Sequence, residues 1–147
     1  MKRPSVGKVE RFSVSLEAEL LKKFENYINK NGHPNRSEAL RILIKRALVE
    51  DEWSNTSQEV VGVVSLTYDH HRRGLVDKLI RIQHDDDSST VRILATLHIH
   101  LDHDNCLEVI GVSGLSSDIK NFYSHLKSVK GLKHISLTPA TRGKNLL

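Results

Sequence analysis

The sequence predicts an α+β protein in two parts, a short strand with two helices followed by a βαββαβ domain. Five short apolar stretches are typical of β-strands, and in four longer ones the apolar residues recur at helical spacing. The charged residues are also distributed unevenly between the two parts. Residues 1–49 carry 11 Lys or Arg against 5 Asp or Glu, whereas the remainder carries 11 against 13. A basic N-terminal third favours a nucleic-acid module on a second domain, the alternative being a solvated basic surface.

Composition and length restrict the class of protein. The chain has 147 residues, 38% of them hydrophobic, and no apolar run approaches the ~20 residues of a membrane span. Neither a signal sequence nor a membrane partner is expected, and the single cysteine suits a reducing, cytoplasmic location or a ligand role. We divide the chain into a flexible arm (1–9), an N-terminal domain (10–50), a linker (51–59), a C-terminal domain (60–138) and a disordered tail (139–147).

The N-terminal domain is predicted to contain one strand and two helices. Residues 10–16 alternate between apolar and polar side chains, the pattern of a half-buried strand. Helices are predicted over 17–31 and 36–50, and Asn35 with Glu38 resembles a capping box at the start of the second. The polar face of the strand presents Arg11, Ser13 and Ser15.

A lone strand with two helices cannot close a hydrophobic core by itself. We therefore expect a homodimer in which residues 10–16 pair antiparallel with their copy. A two-stranded ribbon fits the major groove of double-stranded DNA, where Arg11, Ser13 and Ser15 of both subunits would contact bases. The alternative is an ordinary solvent-facing edge strand.

The C-terminal domain is predicted to be ferredoxin-like, with helices on one face of an antiparallel sheet. Its predicted strands are 60–66, 91–101, 106–112 and 133–138, and its predicted helices are 70–83 and 116–129. A polar loop is expected to begin at His84.

Four histidines and the cysteine fall within a window of 23 residues: His84, His98, His100, His103 and Cys106. On a strand, His98 and His100 share a face because side chains alternate. The turn that follows returns the chain so that Cys106 lies beside them. Imidazole nitrogen and thiolate suit Zn, Ni or Cu rather than Mg or Ca. The alternative is a set of ordinary surface histidines.

The stretch His98-x-His100-x-Asp102-His103 also matches the H-x-H-x-D-H motif of metallo-β-lactamase-like hydrolases. Such an enzyme would use a metal-bound hydroxide as nucleophile. That fold is far longer than the C-terminal part of this chain. Only 44 residues follow His103, too few for the distal ligands. A metal-dependent hydrolase is therefore the alternative function, and the favoured prediction is not an enzyme.

The N-terminal domain resembles the ribbon-helix-helix family of DNA-binding proteins in two stretches, Arg11–Leu16 and Asn35–Ala39. The resemblance implies that the outward strand residues read bases. It also implies that Arg36 and Ser37, at the start of the second helix, hold a phosphate with free backbone N–H groups.

Over residues 10–138 the chain resembles the nickel-responsive regulators, most specifically in Leu97–Glu108 and Ile82–His84. The resemblance implies an ACT-type C-terminal domain in a homotetramer, a dimer of dimers. It implies one Ni(II) per subunit in a square-planar site formed by His98, His100 and Cys106 of one subunit and His84 of another. The residues expected to support these ligands are Gln83, His103 and Glu108, and Tyr68, His70 and His71 match a region close to the site.

The implied function is repression of nickel uptake genes, with Ni(II) as corepressor on operator DNA. Two features depart from the family pattern. The loop between His84 and His98 is longer, and Ile42 stands where some members have an acidic residue near a second cation. A third alternative, an ACT-type sensor of an amino acid, lacks a glycine-rich ligand loop, since Gly74 is the only glycine between the first predicted strand of that domain and the end of its first predicted helix.

Overall fold

The computed structural model describes residues 9–84, 91–144 and 146, which form two compact units that divide between Ala47 and Leu48. The elements are α1 (Ala18–Lys30), α2 (Arg36–Ser54), β1 (Glu59–Asp69), α3 (Leu75–His84), β2 (Arg92–His100), β3 (Asn105–Leu115), α4 (Ser116–Lys127) and β4 (Leu132–Ala140). The predicted arm up to residue 8, most of the His84–Thr90 loop and tail residues 145 and 147 lie outside the described residues. Of the helices described, none has the length and apolar character to span a membrane.

The N-terminal unit contains α1 and the part of α2 up to Ala47, where two helices are predicted. Gly32 follows α1 with a φ of 66°, a backbone conformation that glycine adopts without strain and that commonly ends helices. The predicted cap of α2 is present, because Asn35 Oδ1 accepts a hydrogen bond from the Glu38 backbone N–H at 2.8 Å. The helical half of this unit therefore follows from local sequence signals.

None of the residues that the structure describes pairs with the predicted strand at residues 10–16. Residues 9–17 form neither helix nor strand in this single chain. Phe12 and Val14, on its apolar face, are 70% and 59% exposed. A strand requires a partner for its backbone N–H and C=O groups, so the predicted pairing with a second copy stays a prediction.

Helix α2 is longer than predicted and extends to Ser54, so the first four residues of the predicted linker are helical. The cause is the packing of Trp53, which is only 5% exposed. Its indole N–H donates to the Ala140 carbonyl at 3.0 Å, and its ring lies over Gly62. This contact could not be predicted from the polar residues around Trp53, because the groups that Trp53 contacts belong to the C-terminal sheet.

The C-terminal unit is a four-stranded antiparallel sheet in the order β2-β3-β1-β4, and the predicted βαββαβ order is confirmed. Buried side chains from the two central strands, β3 and β1, form one core with those of α3 and α4. The main members of this core are Val64, Leu66, Leu75, Leu79, Ile110, Val112, Ile119, Phe122 and Leu126.

Two element boundaries near the predicted site differ from expectation. β1 runs to Asp69, and the next five residues, predicted as helix, form a turn before α3 starts at Leu75. Asp69 stabilises this turn, because its carbonyl accepts from the Arg72 backbone N–H at 3.2 Å. His84 is accordingly the last residue of α3 rather than the first residue of a loop.

Strand β4 takes the first two residues of the predicted tail into the sheet, because Pro139 pairs with Gly62 and Ala140 with Val61. β4 is an edge strand, and proline is tolerated at sheet edges, where its missing N–H is not needed for a second ladder.

Candidate metal centre

Cys106 lies near the start of β3 with a neighbour on each side. In the antiparallel register it pairs with Tyr68 of β1 and with His100 of β2. Directly paired side chains project from the same face of a sheet, here the face that also carries the core. The Cys106 side chain is fully buried. Burial, followed by the negative charges of Asp102, Asp69 and Glu108, raises the pKa of this thiol.

Two imidazoles contact the thiol. His100 Nδ1 and His70 Nδ1 each lie 3.3 Å from Cys106 Sγ. The donor atoms of these three residues all lie within 4.8 Å of one another. His70 belongs to the turn after β1, and its backbone N–H donates to the Asp104 carbonyl at 3.2 Å, which attaches that turn to the β2–β3 connection.

His98 shares the face of His100, as predicted from strand alternation, and their ring centroids are 5.0 Å apart. Its Nδ1 lies 3.4 Å from the Tyr68 hydroxyl oxygen. Tyr68 donates its only hydroxyl proton to Glu108 Oε2 at 2.9 Å, so its oxygen can accept from a protonated His98 Nδ1. His98 Nε2 then keeps a lone pair for a metal.

A buried carboxylate joins the strands to α3 at this site. Glu108 is 6% exposed and accepts hydrogen bonds from Tyr68 and, at 2.7 Å, from the side-chain amide of Gln83. Burial, followed by the hydrogen bond to Glu108 and its negative charge, raises the pKa of Tyr68 above its usual range, which keeps the phenol a donor. Gln83 and Glu108, predicted as supporting residues, therefore contact each other.

The structure does not bring every predicted site residue to Cys106. Among the described residues of this one chain, His84 is in neither cluster of three or more potential ligands. It is exposed at the end of α3. His103 belongs to the second cluster, with His71 and Asp104, whose members are all exposed. His103 Nδ1 lies 2.8 Å from Asp104 Oδ1.

Asp102, the acidic residue of the hydrolase-like motif, forms hydrogen bonds within the β2–β3 connection. Both carboxylate oxygens of Asp102 accept from the side-chain amide of Asn105, and one also accepts from the backbone N–H groups of Asp104 and Asn105. These bonds, first of all that from the Asn105 side chain, lower the pKa of Asp102. Asp102 thus shapes the β2–β3 turn, and its hydrogen bonds leave it little capacity to act as a ligand.

The ligand atoms around Cys106 restrict which metal ions can bind there. A thiol in contact with imidazole nitrogens suits the borderline metals Ni, Zn, Cu and Co, whereas the hard ions Mg and Ca require oxygen ligands. A cation here would replace the thiol proton of Cys106 and would balance the thiolate that burial otherwise disfavours. The residues present therefore fit a nickel ion chemically.

The predicted DNA-contact residues are all exposed in the N-terminal unit: Arg11, Ser13, Ser15, Arg36 and Ser37. The Arg36 guanidinium forms an ion pair with Glu25 in the free chain. A phosphate at the start of α2 would therefore compete with Glu25 for this side chain.

The resemblance to the nickel-responsive regulators places His70 only close to the site, and residues 70–83 are predicted as one helix. The extension of β1 to Asp69 places His70 just beyond the pairing of Tyr68 with Cys106. The alternation of β1 past residue 66 was the available signal, since Leu66 and Tyr68 continue the buried face.

Two family sequence models match the chain. The "NikR C terminal nickel binding domain" matches residues 61–140, and "Ribbon-helix-helix protein, copG family" matches residues 10–51. The chain is 49% identical over 138 residues to a protein of Solibacter usitatus, covering 94% of this chain and 97% of that protein. It is 44% identical over 141 residues to a protein of Geobacter sulfurreducens, covering 96% and 99%. Both relatives are assigned as nickel-responsive regulators.

Proposed function

The chain belongs to the family of nickel-responsive regulators, and we propose that Ni(II) bound in its C-terminal domain makes it a repressor of nickel uptake genes. One observation carries the proposal, a buried thiol flanked by imidazoles in a chain that also has a ribbon-helix-helix domain. We place its action in the cytoplasm, where the lone thiol of Cys106 stays reduced.

The proposed ligands are His98, His100 and Cys106 of one subunit and His84 of a neighbouring subunit, one nickel per subunit. The side-chain directions at the end of α3 support the proposal that His84 binds a nickel ion held by a neighbouring subunit. Gln83 is bonded to Glu108 within its own chain. Consecutive side chains on an α-helix point about 100° apart, so His84 projects in another direction, where it is exposed and available to a second subunit.

Tyr68, Gln83 and Glu108 are proposed to support these ligands. Glu108 holds the Tyr68 hydroxyl, which in turn selects the tautomer of His98 that leaves Nε2 free. Hydrogen-bonded neighbours of this kind orient metal ligands and typically contribute about 10- to 100-fold in metal affinity. The bound ion supplies the positive charge that keeps Cys106 as a thiolate. The d⁸ Ni(II) ion is suited to a square-planar set of four nitrogen and sulfur donors.

Uncovered apolar surfaces support assembly into a dimer of dimers. Phe12 and Val14 are exposed on the predicted ribbon. β2, an edge strand of the C-terminal sheet, exposes Leu94 and Leu97 at 59% and 57%. Exposed apolar side chains along a sheet edge are a common feature of protein interfaces. We propose that ribbons pair in the N-terminal dimers and that C-terminal domains join these dimers into a homotetramer.

The proposed output is binding to double-stranded operator DNA. Arg11, Ser13 and Ser15 would contact bases, and Arg36 with Ser37 would hold a phosphate. Nickel shifts the protein toward the DNA-competent arrangement only if it binds that arrangement better than the other. A site shared between subunits meets this condition, since His84 and Cys106 converge in only some arrangements of the tetramer.

The test uses the full-length protein and a DNA site selected by the nickel-loaded protein from a random library. Binding to this site is measured with no metal and with Ni, Zn, Co or Cu. We expect wild type to bind specifically with nickel, and Cys106→Ala to lose nickel-dependent binding while retaining non-specific binding. His134→Gln is the control, because His134 pairs with Thr67 on the opposite face of the sheet.

Nickel-dependent binding by Cys106→Ala equal to that of wild type would overturn the proposed site. Repression is tested separately by transcription in vitro from a promoter that contains the selected sequence. Addition of nickel should reduce the transcript, whereas an increase would show an activator.

A further inference from the structure

A cleft on the helical side of the C-terminal domain is lined by three cations. It lies between α3 and the residues that follow α4, and its volume of about 470 Å³ is within the ~300–1,000 Å³ of common small-molecule sites. The residues that line this cationic cleft are Lys78, Arg81, Ile82, Ser128, Val129 and Lys130. None of them belongs to the proposed nickel site or to the proposed DNA contacts.

The spacing of residues along α3 directs one side of the helix into the cationic cleft. Arg81 and Ile82 follow Lys78 by three and four residues, a spacing that places all three on one face of a helix. On the other side of the cleft, Val129 is 9% exposed and Lys130 is exposed. The cleft therefore combines exposed positive charges with the apolar side chains of Ile82 and Val129.

The positive charge of the cationic cleft is not balanced by its neighbours. Among the residues that the structure describes, no carboxylate lines the cleft, and no ion pair involves Lys78, Arg81 or Lys130. The clustering is not a consequence of composition, because residues 50–147 carry 11 Lys or Arg against 13 Asp or Glu. Like charges one turn apart on a helix repel, so an anion bound at Lys78 and Arg81 removes an unfavourable interaction.

Phosphate is the anion that suits these side chains. A phosphate group carries about −1.5 to −2 charges at pH 7, its oxygens match the guanidinium fork of Arg81, and lysine binds it as a point charge. The hydroxyl of Ser128 is not available as a donor, because it donates to the His125 carbonyl at 2.6 Å. Recognition of the anion therefore depends on the cations.

The cleft is larger and more apolar than a free phosphate ion requires. We propose that the cationic cleft binds a small organic phosphate of the size of a nucleoside diphosphate, with its phosphates on the three cations and its organic part against Ile82 and Val129. A concave site with a buried apolar side chain favours such a ligand over the convex backbone of duplex DNA.

An occupied cleft connects α3 to the residues that follow α4. Because α3 ends at His84, the ligand restricts the helix end that the proposed nickel site uses in a neighbouring subunit. A ligand that alters nickel affinity has its own affinity altered by nickel by the same factor. This coupling rests on the proposed function, whereas binding of the phosphate does not, so binding is tested first in the metal-free protein.

The test is calorimetric titration of the full-length, metal-free protein with ADP in 0.1 M KCl without magnesium. ADP should bind more tightly than adenosine or inorganic phosphate, because each of these offers only one of the two recognised groups. Arg81→Gln and Lys130→Gln should each lower ADP affinity about 10-fold or more. Arg81→Lys, which keeps the charge without the fork, should lose less. Lys127→Gln is the matched control, since it removes the same charge from the end of α4 outside the cleft.

Absence of ADP binding by wild type overturns the inference, as does an equal loss of affinity in Arg81→Gln and Lys127→Gln. If Arg81→Gln weakens binding of random duplex DNA while ADP does not bind, the cations serve the DNA backbone and the inference is wrong. ADP affinity is then measured for the nickel-loaded protein. A change relative to the metal-free protein supports the coupling, and equal affinities contradict it. Failure of wild type to bind nickel would contradict the proposed function and leave the result for ADP unaffected.

Discussion

The Tyr68 hydroxyl donates a hydrogen bond to the buried Glu108 carboxylate at 2.9 Å, across two paired strands of the C-terminal sheet. Its oxygen also faces His98 Nδ1 at 3.4 Å. One phenol therefore connects a carboxylate on β3 to a proposed nickel ligand on β2. We therefore propose that Tyr68 positions a ligand without binding the metal.

Tyr68→Phe removes the hydroxyl with little change of shape. We expect a loss of about 1–3 kcal/mol in the free energy of unfolding, because the buried Glu108 carboxylate loses the Tyr68 hydroxyl as a hydrogen-bond donor. We also expect nickel affinity to fall about 10- to 100-fold, because His98 loses the partner that selects its tautomer. Urea unfolding and chelator competition measure the two effects. Unchanged nickel affinity would show that Tyr68 does not position a nickel ligand.

Gly62 and Trp53 are expected to be coupled energetically. A Cβ at Gly62 would lie 2.9 Å from two ring carbons of Trp53. Gly62→Ala should therefore destabilise the protein by about 1–3 kcal/mol in urea unfolding. In a Trp53→Phe background, where the outer ring of the indole is absent, the same substitution should cost less than it does in wild type.

The matched control for this pair is Gly111→Ala. A Cβ at Gly111 would meet its nearest atoms at 3.8 Å, an ordinary van der Waals distance. Additive effects of Gly62→Ala and Trp53→Phe would show that the indole does not limit the space at Gly62.

Val14 and Ser13 are adjacent but should respond differently to the same substitution. Val14 lies on the apolar face of the predicted ribbon and is 59% exposed in the single chain. Val14→Asp should dissociate the N-terminal dimer, because pairing would bury an unpaired carboxylate. Ser13→Asp should preserve the assembly and weaken DNA binding through repulsion of phosphates. Sedimentation equilibrium and mobility shift distinguish these outcomes, and a wild-type mass for Val14→Asp would contradict the ribbon.

Arg11 is expected to contribute to specific DNA recognition. Arg11→Ala should weaken binding to the selected DNA site by about 1–3 kcal/mol and relax the preference at one base position. Lys127→Ala, an exposed cation at the end of α4, removes the same charge and serves as control. DNA footprinting at a fixed salt concentration measures both effects. If the two substitutions weaken binding equally, Arg11 contributes only general electrostatic attraction and no sequence recognition.

Much of the architecture could be predicted from local patterns. Alternating and helical spacings identified every helix and strand that the structure describes from β1 to β4, because each element must bury one apolar face. Asn35 and Gly32 marked helix ends through hydrogen bonding and backbone freedom that depend only on nearby residues. That His98 and His100 share one face could be predicted in the same way, from the two-residue repeat of a strand.

The sequence by itself determined the fold class, the family and the residue types able to hold a soft or borderline metal. Only the tertiary structure decided which of those residues meet. His70 reached the Cys106 thiol because β1 extends to Asp69, and Trp53 became a core residue because the sheet supplied Gly62 and Ala140. Contacts of this kind depend on strand register and on residues distant in sequence, and neither is encoded in the periodicity of a single segment.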